Sequence, residues 1–193
     1  EGETIQTIIN VQAEHDDYSY LFFTTRYGVV KRTSVTEFAN IRQNGLKALN
    51  LKDEDELINV FLTNGHADII IGTKMGYAVR FNENQVRNMG RAATGVRGVN
   101  LRADDHVVGA SVISNDQEVL VITEKGYGKR TLASEYATKG RGGKGMKTAN
   151  ITEKNGPLAG LMAVNGDEDL MIITNTGVII RTNVANISQT GRA

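Results

Sequence analysis

Cysteine is absent from this 193-residue sequence, which excludes a disulfide scaffold, a cysteine zinc site and a thiol nucleophile. Histidine is scarce. His15, His66 and His106 stand singly near acidic residues, so they read as solvated turn residues rather than metal ligands. Long apolar runs are missing too: the longest, such as residues 69–71, fall far short of the roughly 20 residues that cross a bilayer as a helix. Residues 1–25 hold five acids and no Lys or Arg, so no basic segment leads into an apolar one. No signal peptide is read, and the expected compartment is the cytoplasm. The sequons at Asn150 and Asn186 are then chance matches. No grouping of nucleophile, base and orienting residue is present, so neither catalysis nor a cofactor or metal is expected of this stretch. Net charge is missing as well. Twenty-two basic residues balance 22 acids, which taken as an average argues against nucleic acid.

What the sequence has is repetition. Thr-x-x-Gly recurs with its glycine at Gly28, Gly76, Gly126 and Gly177. Four residues after each comes an arginine: Arg32, Arg80, Arg130 and Arg181. Ten residues after each comes Phe38, Val86, Tyr136 or Ile187. A second signature, Gly-apolar-basic ending in Asn-apolar, occupies residues 45–51, 95–101 and 145–151. Two signatures in step at one period of about 50 residues define four copies of one unit.

Each unit predicts four short strands. The first are residues 8–11, 58–61, 108–112 and 160–164. The second are 21–25, 69–73, 119–123 and 170–174. The third are 29–33, 77–81, 127–131 and 178–182, and the fourth is the Gly-apolar-basic segment. The glycine between the second and third suits a tight hairpin. The second strand is apolar on successive residues, which predicts burial on both faces. The polar stretches 34–44, 82–94 and 132–144 predict a loop or a helical turn. Four-stranded units of this length indicate an all-β, propeller-like array, with residues 1–193 forming one domain. The units start and stop out of phase: 1–13 match material just before a second strand, and the last copy lacks its fourth strand, as in a piece of a larger array. Tyr27, Tyr77 and Tyr127 fill hairpin or strand positions and read as structural.

Charge alternates with the same period. Residues 26–52 hold six bases and one acid, 74–102 six and one, and 125–154 eight and two. The stretches between them, 53–72 and 103–124, each hold five acids and no Lys or Arg. Equivalent positions of an array lie at equivalent places, so a neutral chain acquires a basic belt suited to duplex DNA. The candidate phosphate contacts are the four repeat arginines with Lys31 and Lys129, and around the fourth strands Arg42, Lys47, Arg91, Arg97 and Lys147.

Residues 139–145, Lys-Gly-Arg-Gly-Gly-Lys-Gly, add Lys139, Arg141 and Lys144. Gly140, Gly142 and Gly145 match a dinucleotide fingerprint by spacing. No helix is predicted after them, and only Gly145 has counterparts in other copies, so that reading fails. A basic loop whose glycines admit a phosphate to the backbone is the better reading. No aromatics interleave with the bases and no recognition helix is seen, so contacts without sequence readout are expected.

The hairpins GVVKRT (28–33) and GYAVRF (76–81), with GVRGVNL (95–101) and KGRGGKGMKTANIT (139–152), resemble the C-terminal domain family of bacterial DNA gyrase A subunits over essentially the whole chain. The resemblance implies a β-pinwheel with strands exchanged between neighbouring blades, about four of a full six being present. It implies duplex DNA bent around a basic outer rim in support of ATP-dependent negative supercoiling. ATP, Mg2+, another gyrase A copy, the gyrase B subunit, and the catalytic tyrosine of a type II topoisomerase would all lie outside this chain. The family's box motif is Gln, Arg/Lys, Arg, Gly, Gly, Arg/Lys, Gly. Arg141, Gly142, Gly143, Lys144 and Gly145 match it, whereas Lys139 and Gly140 depart. The box belongs to the family's first blade, so this copy in the third unit reads as a degenerate second one. Two alternatives stay open: the related topoisomerase IV domain, and a propeller that binds proteins and has no affinity for plain duplex.

Overall fold

The computed structural model describes residues 2, 4–10, 18–40 and 42–193. Among these, 13 strands and four 3-10 turns form the fold, with no α-helix. Four hairpins carry it: β1 (Tyr20–Thr25) with β2 (Val29–Ser34), β4 (Asp68–Thr73) with β5 (Tyr77–Asn82), β8 (Glu118–Thr123) with β9 (Gly128–Leu132), and β12 (Asp169–Ile173) with β13 (Ile179–Asn183). The remaining strands are β3 (Leu57–Thr63), β6 (Val96–Arg97), β7 (Val107–Ile113), β10 (Met146–Lys147) and β11 (Leu158–Val164). Each third strand runs into a short 3-10 turn: at Val35–Phe38, Glu83–Gln85 and Ala133–Glu135, within the stretches that predict a loop or helical turn, and also at Val184–Asn186.

The sheets are ordered β3-β1-β2-β6, β7-β4-β5-β10, β11-β8-β9 and β12-β13. The first two hairpins thus take both their inner and outer neighbours from the following unit, the third takes its inner neighbour from there, and the fourth has neither among the described residues. Phe22 faces Phe61 and Ile70 faces Ser111 on the inner side, while Val30 faces Val96 and Ala78 faces Met146 on the outer side. This is the strand exchange that the resemblance implies. β3, β7 and β11 approach one another from blade to blade, so they form the inner edge, and β6 and β10 form the outer edge.

Two expected strands are not formed, for the same reason. Residues 8–10 and 45–51 carry no strand; Val11 lies outside the described residues. A first or fourth strand pairs with the hairpin of the preceding unit, and among the described residues no hairpin precedes β1. The other fourth strands shrink from the expected seven-residue spans to two residues each. Gly95 and Gly145 show what makes their signature necessary. Both have positive φ, +110° and +81°, and a Cβ there would come within 2.5 Å of the Val30 carbonyl oxygen and 2.6 Å of the Ala78 carbonyl oxygen. Gly45, lacking a hairpin to lie on, has nothing within 4 Å.

The core lies between blades rather than within them. Phe22, Ile69, Phe81 and Val107 pack at the first seam, with Phe22 stacked on Phe61 at 5.4 Å. Ile70, Val119, Tyr136 and Leu161 pack at the second, and Leu120, Val164, Leu170 and Val184 at the third. This is why the second strands are apolar on both faces. At one aligned position Ile70 is 0% and Leu120 2% exposed, whereas Met171 of the last hairpin, with no blade beyond it in this chain, is 64% exposed.

Candidate nucleic-acid interface

Three of the four repeat arginines are not free to meet DNA. The Arg32 side chain donates from Nε to the Val86 carbonyl and from Nη1 to Glu83 at 3.1 Å, and lies over the Tyr20 ring at 4.3 Å. Arg80 donates to the Ala133 carbonyl at 2.9 Å, the Tyr136 carbonyl at 3.2 Å, Asn115 and Asp68. Arg130 donates to the Ile187 carbonyl at 2.8 Å and to Glu118 at 2.7 Å. Each arginine therefore staples its own hairpin to the apolar turn residue of the next unit. The two in-step signals of the sequence, arginine and apolar residue, are the halves of one inter-blade contact.

An acid 12 residues earlier balances the charge in three units: Asp68, Glu118 and Asp169. In the first unit Tyr20 stands there instead, and the counter-charge comes from Glu83, fully buried and also hydrogen-bonded by Thr63 and the Ala67 N–H. Arg32 and Arg80 are buried and Arg130 is half-buried, so these three candidates are withdrawn from the DNA-facing set. Arg181 alone of the four is open to solvent, pairing with Asp169.

Lys31 is withdrawn for a similar reason. It is fully buried, and its Nζ donates to the Ala48 and Arg91 carbonyls at 2.7 Å each. Lys129 does the same job two units on, donating to the Gly191 carbonyl at 2.9 Å and to the Arg192 carbonyl. Burial pushes the Lys31 ammonium down from 10.5 to about 8. The unfolded chain therefore holds more protons than the folded one between about pH 8 and 10.5, and folding stability rises with pH across that window. Below it, the cost of burying the charge is fully present. Denaturant unfolding at pH 7.5 and 10 is expected to show a gain of about 2 kcal/mol that Lys31→Met lacks; equal pH dependence in both proteins would refute this.

The outer edge presents a different set. Lys47, Arg97 and Lys147 occupy one repeat position, on or aligned with the outermost strands, and all three are exposed. Arg42, Lys139 and Lys144 are exposed beside them. The segment after each turn folds back over the preceding fourth-strand segment. The Asn50 N–H donates to the Ala93 carbonyl at 3.3 Å, and the Asn100 N–H to the Gly143 carbonyl at 2.8 Å. Gly142 N–H donates to the Gly98 carbonyl at 2.8 Å. Arg91, Arg141 and Arg192 are aligned, half-buried, and donate to the carbonyls of Lys47, Arg97 and Lys147 at 3.5, 2.6 and 3.2 Å. Arg141 also gives its Nε to the Gln85 carbonyl at 3.1 Å. Arg91 and Arg141 thus shape the edge, and the exposed lysines and Arg97 supply its free charge.

A cleft of about 730 Å³ at this edge is lined in part by Lys52, Arg97 and Arg141. Lys52 and Arg102 belong to this basic surface and were not singled out from the sequence; they fall five residues after Lys47 and Arg97, a spacing that could have found them. The acidic stretches have structural work. Asp55 accepts the Tyr27 N–H at 3.0 Å and Asp105 the Met75 N–H at 2.9 Å, capping the hairpin tips of the preceding unit. Among the described residues no group of acids and histidines could hold a metal, and no helix is long and apolar enough to cross a membrane.

Comparison with known proteins agrees with this geometry. The family model described as the DNA gyrase C-terminal domain, beta-propeller, matches residues 19–64, 67–114, 117–165 and 168–193, one match per hairpin. The chain is 78% identical over its full length to the gyrase A protein of Streptococcus pneumoniae and 64% identical over 192 residues to that of Halalkalibacterium halodurans. It spans 24% and 23% of those proteins. Among solved structures, a C-terminal domain of DNA topoisomerase IV matches with a TM-score of 0.86 at 29% identity, covering 91% of this chain and 55% of that one. A DNA gyrase A C-terminal domain matches with a TM-score of 0.83 at 27% identity, covering 91% and 59%. With the repeat, the exchanged strands and all four hairpins matched, the chain belongs to the DNA gyrase A C-terminal domain family.

Proposed function

We propose that this chain binds duplex DNA along its outer edge and bends it, as the wrapping part of a gyrase A protein. The observation that carries the reading is the recurrence of an exposed base at Arg97 and Lys147 on the outer strands of successive blades, with Lys47 exposed at the aligned position. Charges spaced by a repeat fit a polymer whose charges are themselves regularly spaced. With no base-reading helix on that edge, phosphate contacts position the duplex without selecting sequence. In the whole protein, a cytoplasmic type II topoisomerase, the bent segment would be passed to a catalytic tyrosine outside this chain. ATP and Mg2+ would be used by the assembly of two A and two B subunits to introduce negative supercoils. Residues 1–193 act in this as one non-catalytic domain.

Titration of labelled duplexes of unrelated sequence at several salt concentrations tests the reading. About six phosphate contacts give a slope near −5 in log K against log salt, with equal affinity for each duplex. A salt-insensitive complex, a preference for one short sequence, or no binding to plain duplex would overturn it, the last favouring a protein-binding propeller.

A further inference from the structure

The loop 139–145 is held in a way its counterpart in the preceding unit is not, by an uncharged residue outside every basic motif and by an arginine at the end of the 74–102 basic stretch. Gln85, at the end of the 3-10 turn after β5, grips the loop three times. Its Oε1 accepts the Arg141 N–H at 2.7 Å, its Nε2 donates to the Lys139 carbonyl at 3.4 Å, and its own carbonyl accepts from Arg141 Nε at 3.1 Å. Arg102 grips the other end, donating from Nη1 to the Lys144 carbonyl at 2.7 Å while its guanidinium stacks 3.5 Å over the Tyr77 ring. Gln85 is exposed and Arg102 half-buried, so neither is core.

Comparison between units sharpens the point. The residue five after the repeat arginine is Glu37, Gln85, Glu135 and Asn186. Serving both an N–H and a carbonyl of one loop requires a group that accepts and donates, which an amide does and a carboxylate does not. Among the three units with a glutamine-length side chain here, the amide stands where the glycine-rich basic loop crosses. A loop with glycine at 140, 142, 143 and 145 has much conformational freedom to lose. Fixing it before DNA arrives removes that cost from the binding step.

We infer that Gln85 and Arg102 are positioning residues for DNA bending: they hold both ends of loop 139–145, so that the exposed Lys139 and Lys144 keep a fixed place beside Arg97 and Lys147. The inference rests on the proposed DNA-binding reading and adds the residues that make the loop a rigid grip rather than a loose one. Bending is the sensitive readout, because a stiff duplex pulls on whatever holds it late in the arc.

The test uses this chain with a duplex labelled at both ends, and compares wild type with Gln85→Ala and Arg102→Lys. Neither change removes a charge, so the salt slope should stay at the wild-type value. The bent-to-straight ratio of bound duplex should fall at least about five-fold, the weight of one lost hydrogen bond near 1 kcal/mol, Gln85→Ala removing two side-chain bonds and keeping the one to its carbonyl. Amide exchange at Arg141 should quicken in Gln85→Ala, while the thermal midpoint holds. Arg102→Lys keeps the charge but loses the planar fork and stack, and should move bending the same way, so a misfolded Gln85 variant does not end the test. Wild-type bending in both variants beside a bending wild type would overturn the inference alone. A wild type that leaves duplex unbent would overturn the DNA reading, and this inference with it.

Discussion

Replacing Arg80 by alanine is expected to cost about 3–5 kcal/mol of folding stability, the range for removing one partner of a buried, hydrogen-bonded ion pair. Arg80 is 4% exposed and serves two carbonyls of the next unit, Asn115 and Asp68 at once. Its loss takes a charge-assisted donor from all four, and leaves the Tyr136 carbonyl without its side-chain donor at the seam where Ile70, Val119 and Tyr136 pack. Arg181 occupies the same repeat position but is 73% exposed at its side chain, and Arg181→Ala should leave the unfolding midpoint within experimental scatter. The contrast is the useful part. If both variants unfolded alike in denaturant, the repeat arginine would not be an inter-blade staple. If Arg80→Ala stayed folded but lost DNA affinity, the residue would belong back among the phosphate contacts.

The second large effect falls on DNA. Lys47, Arg97 and Lys147 changed together to alanine should weaken duplex binding by roughly 500-fold at 0.1 M salt. Each phosphate contact releases about 0.9 counterion, worth about 0.9 log units at that salt, so three contacts give about 2.7. The salt slope should become shallower by the same figure. Because all three side chains are exposed, stability should change little. The comparison set is Arg26, Lys74 and Lys125, basic residues at the hairpin tips rather than on the outer strands. Changing those three should alter affinity far less. Equal losses from both sets would mean that net charge, not the outer edge, governs binding.

The repeat, the hairpins and their glycines, and the two-faced second strands were legible in the sequence, because each reports a local demand on a few neighbouring residues. The exchange of strands was not legible from periodicity. β6 pairs with β2 across more than sixty residues, and nothing local in Val96–Arg97 names its partner; only the family resemblance carried that point. The arginines misled for a physical reason. A base repeated in every unit looks like a surface charge pattern, yet what an array repeats most faithfully is its seams. The corrective signal was present: Asp68, Glu118 and Asp169 stand 12 residues before three of those arginines, diagonally across the hairpin at two residues off the paired position and within ion-pair distance. Lys31 carried no such sign, since its partners are carbonyls, which every residue has. Arg97 and Lys147 were readable because their strand signature tied charge to one edge; Lys47 shares the signature, though its segment forms no strand.

Energy transfer between the ends of a short duplex, saturated with this chain at low salt and then titrated with salt, tests the central claim most directly. The outer-edge account predicts that the ends approach on binding, equally for unrelated sequences, and separate again as salt releases the duplex. A duplex that is bound while its ends stay as far apart as when free would contradict it.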